Sequence, residues 1–175
     1  MTRRRNSVEV NEIFSLRRAQ LADAAAIARV HVASWQAAYR GIISDADLAR
    51  FDVAGRAAAW RRVLGPSANA SVWLALEDDL VVGFSEVRGG EVTVLYLHPG
   101  WWRLGLGHAL LKRAFADIAA AGWREAFLWV LVANEAARAF YGAQGGVAGD
   151  SRPVKVGDNR LVEVRYAWKL PVAPH

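Results

Sequence analysis

The sequence predicts an α/β protein of the α+β type, built around a mixed central sheet of about seven strands. Three observations support this class. Apolar residues recur at helical spacing in the first third of the chain, and from Ala70 they alternate as they do in half-buried strands. Beyond Gly105, helical and strand patterns follow one another in turn. Together these patterns give the element order β-α-α-β-β-β-α-β-α-β-β.

The chain begins with a strand and two helices. An alternating stretch at 14–19 predicts the strand, and an Ala-rich segment at 21–40 has apolar residues at three- and four-residue steps. Gly41 suits the position just after a helix, where a left-handed backbone is common. Ser44 is a suitable N-cap for the segment that follows it, and a further helix is expected at 54–64.

The middle of the chain predicts an antiparallel meander. Three β-rich segments at 70–77, 80–88 and 91–98 are separated by the turn sequences "DD" and "GG". The pair Gly89-Gly90 is a strong signal for a two-residue hairpin. The remaining elements are a helix from about 105 to 121, a strand at 126–132, a helix at 135–144 and two strands at 152–156 and 160–170, joined by the turn "GDN".

Length and composition limit the classes of protein. A chain of 175 residues suits one domain, which we expect at 14–170, preceded by a flexible tail at 1–13. Hydrophobic residues make up 54%, enough for a core without cross-links. There is no cysteine, which excludes disulfides, cysteine nucleophiles and thiolate metal sites. No metal is expected, because the histidines have no spacing that suggests a metal site.

The same composition bears on location. A chain without cysteine favours an intracellular protein. The basic start "MTRRRNSVEVNEIFSL" is followed by no apolar segment of a secretory signal, and no stretch reaches the roughly 20 apolar residues of a membrane span. We therefore expect a cytoplasmic protein with no membrane partner.

The formal net charge of +5 suggests an acidic partner, such as nucleic acid or a phosphate-bearing cofactor. The arginines are spread along the whole chain, which indicates a solvated basic surface rather than a binding stripe. A basic nucleic-acid-binding protein therefore stays a minor alternative, and nucleic acid is not an expected partner.

The loop between the predicted strand at 91–98 and the next helix is a candidate pyrophosphate cradle. Glycines at Gly105 and Gly107 let the backbone approach a ligand, and the free N–H groups of a helix start attract phosphate oxygens. Two nucleotide-binding patterns fail here. The dinucleotide fingerprint needs a glycine where Leu110 stands, and the P-loop needs a lysine where His108 stands.

This loop resembles the acyl-CoA-binding motif of the GNAT superfamily of N-acyltransferases. The sequence "LYLHPGWWRLGLGHALL", from Leu95 to Leu111, matches its "Leu-Tyr-Val-x-Pro" strand end, glycine loop and Leu-Leu helix without a gap. "LVANEAARAFYGAQGG" is similar to the family's second cofactor segment, and "SWQAAYRGIISDADL" to the early segment of a bacterial small-molecule N-acetyltransferase subgroup. The element order is also the family's, so the resemblance extends over 14–170.

The resemblance implies a GNAT fold, with the sheet splayed between strands 4 and 5 and the pantetheine arm of acetyl-CoA in the gap. It implies transfer of the acetyl group to an amine of a small molecule or peptide by direct attack, without a covalent enzyme intermediate. Many members are homodimers. The cofactor-binding positions it implies are Leu95, Tyr96, Leu97, Trp102, Arg103, Leu104, Gly105, Leu106, Gly107, His108, Asn134 and Tyr141.

The chain departs from the family pattern at two places. Trp102 stands where the motif has Gln or Arg, with Arg103 one position later. Gly146 stands where the second segment has Phe, which removes a core aromatic. The two departures keep open a second hypothesis, a catalytically silent module that binds acyl-CoA as a sensor or partner domain, whereas the intact Tyr141 argues against it.

Candidate catalytic residues follow from the resemblance and from chemistry. Tyr141 occupies the position of the family's general acid, and the alternative is an aromatic that only packs its helix. Glu86 and Glu91 lie on the two strands of the Gly-Gly hairpin, where either could accept the amine proton or be an ordinary exposed carboxylate. Water chains serve as base in other family members.

The acceptor side has two aromatic candidates. Trp35 and Tyr39 stand four residues apart on one face of the first helix, which walls the acceptor site in the family. They either receive the amine-bearing substrate, together with Asp45 or Asp47, or belong to the core. Asn134 starts the short helix of the second segment, where it either caps that helix or binds the pantetheine amides.

Overall fold

A computed structural model describes residues 14–66 and 68–171, so the predicted tail at 1–13 lies outside the described residues. The strands are β1 (Phe14–Arg18), β2 (Ser71–Glu77), β3 (Leu80–Arg88), β4 (Glu91–Leu97), β5 (Glu125–Leu131), β6 (Val147–Val156) and β7 (Asn159–Lys169). The α-helices are α1 (Ala24–Tyr39), α2 (Asp45–Ala49), α3 (Val53–Val63), α4 (Leu106–Ala120) and α5 (Glu135–Ala143).

The strands form one seven-stranded mixed sheet in the order β1-β2-β3-β4-β5-β7-β6, which confirms the predicted class. Every pairing is antiparallel except that of β4 with β5. That parallel pairing is limited to one residue pair, Glu91 with Phe127. The two strands therefore separate after their first residues, and the sheet is open along the rest of β4.

Helices cover both faces of the sheet. On one face α1 and α3 pack on β2 and β3 around the fully buried Leu74 and Phe84. On the other face α4 and α5 pack on β5 and β7, and Leu111, Ala114 and Tyr141 belong to this core. None of the helices in the part of the chain described is long and apolar enough to cross a membrane.

Two element boundaries differ from the sequence prediction by more than two residues. Residues Leu21–Asp23 form a 3-10 turn, and α1 begins only at Ala24. Asp23 stabilises the 3-10 turn before α1. Its carboxylate accepts the backbone N–H of Gln20 and forms an ion pair with Arg17.

Strand β6 begins at Val147, five residues before the prediction. Its first half is exposed and lacks an alternating pattern, so no sequence signal marked it as a strand. The backbone ladder with β7, interrupted by an irregularity between Ala148 and Ser151, extends the strand nevertheless.

Candidate active site

The separation of β4 from β5 creates a cavity of about 730 Å³ that passes through the sheet. Its walls come from both strands, from the start of α4, from α5 and from the last turns of α1. The residues that line it are Ser34, Ala37, Ala38, Tyr39, 92–97, Trp102, Arg103, Gly105, Gly107, His108, 128–130, Asn134, Ala136, Ala137, 139–141 and Gln144.

The backbone of β4 presents alternate residues to this cavity. His98 donates its N–H to Val82 of β3 at 2.8 Å, and Tyr96 pairs with Phe84 in the same register. Because hydrogen-bonded pairs alternate in an antiparallel ladder, the backbone groups of Leu95 and Leu97 point away from β3. They point into the gap, where β5 no longer follows.

The start of α4 forms part of the cavity wall. The first intrahelical bond runs from Ala109 N–H to the Gly105 carbonyl at 3.1 Å, so the N–H groups of 106–108 have no partner within the helix. Gly105 takes a left-handed backbone with φ +82°, and Arg103 does so with φ +65°. A helix start with free N–H groups and a nearby guanidinium is a favourable environment for phosphate oxygens.

Glycine is required at the two loop positions for different physical reasons. A Cβ at Gly105 would meet nothing within 4 Å, so its positive φ is what requires glycine. A Cβ at Gly107 would lie 3.1 Å from Phe140 Cζ, so this glycine makes room for the packing of α5 on α4. The sequence suggested close approach to a ligand for both positions.

Tyr141 reaches the cavity from α5. Its side chain is buried, and its ring lies 6.1 Å from the rings of Tyr166 and Trp168. Burial raises the pKa of the Tyr141 phenol above its ordinary value, and the nearby Tyr39 adds to the shift. The hydroxyl therefore keeps its proton at neutral pH and is available as a hydrogen-bond donor.

Two further phenols line the cavity on the α1 side. Tyr39 and Tyr96 have their hydroxyl oxygens 3.4 Å apart. Burial also raises the pKa of Tyr96, with Tyr39 as the next cause. Trp35 lies behind Tyr39, stacked on Phe51 with ring centroids 4.7 Å apart, and is not part of the cavity wall. Of the two predicted acceptor aromatics, only Tyr39 therefore faces the cavity.

The two candidate bases have different surroundings. Glu86 is buried and accepts from Arg88 Nε at 2.6 Å, so its charge is already paired. Glu91 lies at the closed end of the gap, and burial raises its pKa. The neighbouring Arg152 partly opposes that shift. Neither carboxylate lines the cavity itself.

The remaining predicted cofactor-binding positions differ in their contacts and exposure. Asn134 accepts from Ala137 N–H at 3.2 Å as the N-cap of α5, and it also lines the cavity. His108 has its Nδ1 2.5 Å from Gln144 Oε1 at the cavity rim. Leu104 is exposed, and the Leu106 side chain is buried in the core, so each can serve a ligand only through its backbone.

Sequence reasoning did not select Ser34, Phe140 or Gln144 as site residues. Ser34 is 1% exposed and donates to the Leu97 carbonyl at 2.6 Å. A hydroxyl in the apolar stripe of α1 was the signal that could have identified it. The contacts of Phe140 and Gln144 depend on how α5 meets α4, which no local pattern gives.

The cavity fits an acyl-CoA. Free N–H groups and Arg103 at one end suit a pyrophosphate, and the unpaired backbone edge at Leu95 suits an extended arm that carries amides. Tyr141 lines the same cavity as that edge.

Comparisons with known proteins agree with this geometry. The model of the acetyltransferase (GNAT) family matches residues 33–145. A GCN5-related N-acetyltransferase from Rhodopseudomonas palustris is similar with a TM-score of 0.74 and 22% identity, over 89% of this chain and 95% of that chain. A comparison with curated protein sequences finds no match.

Two similar structures were solved with a ligand. PaiA N-acetyltransferase from Thermoplasma acidophilum, in complex with coenzyme A, has a TM-score of 0.69 and 21% identity over 86% of this chain and 97% of that chain. YncA from Salmonella typhimurium, with its cofactor acetyl-CoA, has a TM-score of 0.65 and 21% identity over 91% of this chain and 95% of that chain.

Proposed function

Because the chain belongs to the GNAT acetyltransferase family, we propose that it transfers the acetyl group of acetyl-CoA to an amine of a small molecule or peptide. The observation that carries the proposal is the opening between β4 and β5, which ends at the free N–H groups of α4. Family membership supports an acyl-CoA acyltransferase, and two similar structures hold coenzyme A or acetyl-CoA. Residues 14–170 are the proposed catalytic domain.

Binding is divided between two ends of the cavity. In the proposal, the N–H groups of 106–108, Arg103 and His108 hold the pyrophosphate. Leu95 and Leu97 offer backbone groups to the amides of the arm, as an edge strand does to an added strand. Asn134 caps α5 through its side-chain oxygen, which leaves its amide NH₂ for the arm.

Acetyl-CoA supplies a thioester that an amine can attack directly. The N–H of Leu95 is the proposed donor to the carbonyl oxygen, which gains negative charge during the attack. Tyr141 is the proposed donor to the departing sulfur. Because its pKa is raised, we expect its hydroxyl to keep its proton and to stabilise the departing thiolate through a hydrogen bond.

Glu91 is the better supported of the two candidate bases. The Glu91 carboxylate has no ion pair or hydrogen bond with another described residue, whereas Glu86 is paired with Arg88. A raised pKa makes Glu91 a stronger base than an ordinary glutamate. Since Glu91 lies outside the cavity wall, it would take the amine proton through water.

The proposal is tested by calorimetric titration with acetyl-CoA. Gly105→Asp places a negative charge beside the phosphate end, and Gly105→Asn is the matched neutral control, since both side chains tolerate a left-handed backbone. We expect wild type and the Asn variant to bind and the Asp variant to lose most of its affinity. A well-folded wild type that does not bind acetyl-CoA would contradict the proposal.

The silent acyl-CoA-binding module is the second candidate, because Trp102 replaces the motif's Gln or Arg. An amine-acceptor screen that follows CoA release separates the two. Turnover with any amine favours the enzyme, and tight binding without turnover favours the module. A homodimer and a cytoplasmic location are also part of the proposal. Sedimentation equilibrium tests the first, and fractionation of the cells that make the protein tests the second.

A further inference from the structure

The Leu97 carbonyl already has two side-chain donors. Ser34 Oγ donates to it at 2.6 Å from α1, and Trp102 Nε1 donates to it at 2.8 Å from the glycine loop. A carbonyl oxygen has two lone pairs, so both are occupied. Leu97 is the last residue of β4, where the strand has lost β5 as a neighbour.

The Leu97 side chain is held as well. A Cβ at Gly83 on β3 would overlap Leu97 Cδ2, and a Cβ at Gly107 would lie 3.5 Å from Leu97 Cδ1. The two glycines therefore leave the space that the leucine fills. The end of β4 is fixed on three sides, by α1, by β3 and by the loop that leads into α4.

We propose that Ser34 and Trp102 are positioning residues that fix the Leu97 peptide and so hold the strand edge ready for the pantetheine arm. The inference rests on the proposed function. With its carbonyl bound to the two side chains, Leu97 offers only its N–H to the gap, and Leu95 offers both of its backbone groups. Trp102 thus acts on the arm through Leu97, whereas the motif's Gln or Arg at this position is expected to contact the pyrophosphate.

The two donors differ in exposure, which makes them separately testable. Ser34 is 1% exposed, and within the described residues its hydroxyl bonds to the Leu97 carbonyl alone. Trp102 is 45% exposed, so a change of its ring does not open a hole in the core. Trp102→Phe keeps a six-membered aromatic ring and removes the N–H donor together with the five-membered ring that carries it.

The experiment compares two ligands on each variant. Acetyl-CoA has the arm, and adenosine 3′-phosphate 5′-diphosphate has the whole nucleotide end without it. Acetyl-CoA affinity is measured by calorimetry, and nucleotide affinity by displacement of bound acetyl-CoA. Losing one neutral hydrogen bond should weaken acetyl-CoA binding by Trp102→Phe about three- to tenfold, with nucleotide affinity unchanged.

Ser34→Ala should give the same split between the two ligands. Its matched control is Ser85→Ala, because Ser85 is equally buried and its hydroxyl has no hydrogen-bond partner within the described residues. The control should leave acetyl-CoA affinity unchanged. Thermal unfolding of each variant shows whether a loss of affinity reflects a loss of fold.

Three results would overturn the inference. Equal weakening of both ligands by Trp102→Phe would mean that the indole contacts the nucleotide directly. Unchanged affinity would mean that the Leu97 peptide needs no donor from Trp102. Tighter binding of acetyl-CoA would mean that the indole competes with the arm for the carbonyl. A wild type that binds neither ligand contradicts the proposed function instead.

Discussion

Burial determines how Tyr141 can act. The phenol lies in the core of α4 and α5 and also on the cavity wall, and its pKa is raised. A thiol has an ordinary pKa of about 8.5, below that of a phenol, so complete proton transfer from Tyr141 to a free thiolate would be uphill. Hydrogen bonding during departure of the sulfur is the role that agrees with this order.

We predict that Tyr141→Phe lowers kcat about 10²-fold, because it removes a positioned donor. Phenylalanine keeps the ring and its packing, so the Kd for acetyl-CoA should change little. Steady-state kinetics and calorimetry measure the two quantities. An unchanged kcat would restrict Tyr141 to packing.

Glu91 should give the pH profile of kcat/KM an acidic limb, the range in which activity rises with pH. Burial raises its pKa, so kcat/KM should rise with pH through a value above the ordinary 4.5. Glu91→Gln should lower kcat/KM and flatten that limb, while Glu86→Gln should leave the shape of the profile intact. If the Glu91→Gln variant kept the wild-type limb, another group would be the base.

The same shift has a consequence for stability. A carboxyl group with a raised folded-state pKa contributes stability that is present below its unfolded pKa and is lost as the pH rises through the folded pKa. Relative to wild type, Glu91→Gln should therefore gain unfolding free energy between about pH 4 and pH 7. Urea titrations at the two pH values measure this difference.

Single residues also show where sequence reasoning ends. The glycine loop and Tyr141 could be found because their motifs are contiguous. The sequence left Glu86 and Glu91 equivalent, because Arg88 lies two residues from Glu86 and directly opposite Glu91 in the hairpin, and only the fold shows that it pairs with Glu86. Arg152 comes near Glu91 only through the assembly of the sheet. The two acceptor aromatics of α1 share a helix face, and only the packing of the chain that follows α1 decides which of them reaches the cavity.

A residue from another element compensates for one of the two departures from the family pattern. Gly146 lacks the expected aromatic side chain, and the ring of Trp168 from β7 lies in that space. Trp168 Nε1 donates to the Gln144 carbonyl at 3.0 Å, which fixes the ring against the end of α5. The corner keeps an aromatic, supplied from a distant strand instead of from the segment itself.

We predict that Gly146→Ala destabilises the protein by about 1 to 3 kcal/mol, because a Cβ there would lie 2.5 Å from Trp168 Cζ2. Gly142→Ala is the matched variant in α5, with nothing within 4 Å of its Cβ, and it should stabilise by up to about 1 kcal/mol. Chemical denaturation measures both. Equal effects of the two alanines would show that Trp168 does not restrict position 146.

The order of elements could be predicted because periodicity and turns are local. The first half of β6 could not, since its residues are exposed and only pairing with β7 makes them a strand. That β4 and β5 separate was predicted from the family resemblance alone, without the extent of the opening. Neither strand alone has a pattern that predicts where their pairing stops, which is at Glu91.

At the scale of the whole molecule, one buried histidine links stability to pH. His31 lies among Phe51, Trp60, Phe84 and Tyr96, and its Nδ1 accepts from Trp60 Nε1 at 3.1 Å. Burial lowers its pKa from 6.5 to about 4. The folded protein therefore keeps this imidazole neutral under conditions in which the unfolded chain binds a proton.

The sign of the effect follows from this difference. The contribution of His31 to stability is complete above pH 6.5 and falls as the pH drops from 6.5 towards 4, by about 3 kcal/mol in total. His31→Asn keeps an acceptor near Trp60 and removes the titration, so it should lose less unfolding free energy over this range. Urea titrations across the range measure both proteins. Equal losses in wild type and variant would assign the effect to other groups.

One carboxylate, that of Asp47, connects segments that are far apart in the chain. Asp47 of α2 accepts from Asn159 Nδ2 at 2.8 Å and from Asp158 N–H at 3.3 Å. It thereby holds the β6–β7 turn against the segment that follows α1. Its neighbour Leu48 belongs to the same hydrophobic cluster as the buried Leu131. The sequence offered Asp47 as a group that could receive the amine, and the structure gives this carboxylate a role in holding the turn.

The alternating contacts along β4 should also be visible in hydrogen exchange. The amides of Val94 and Tyr96 are directed at β3, whereas those of Leu95 and Leu97 are directed into the gap. We predict slow exchange for the first pair and fast exchange for the second, measured by NMR in the protein alone. Uniform protection along the strand would contradict this arrangement. Four successive amides would thus report the shape of the opening at single-residue resolution, before any ligand is known.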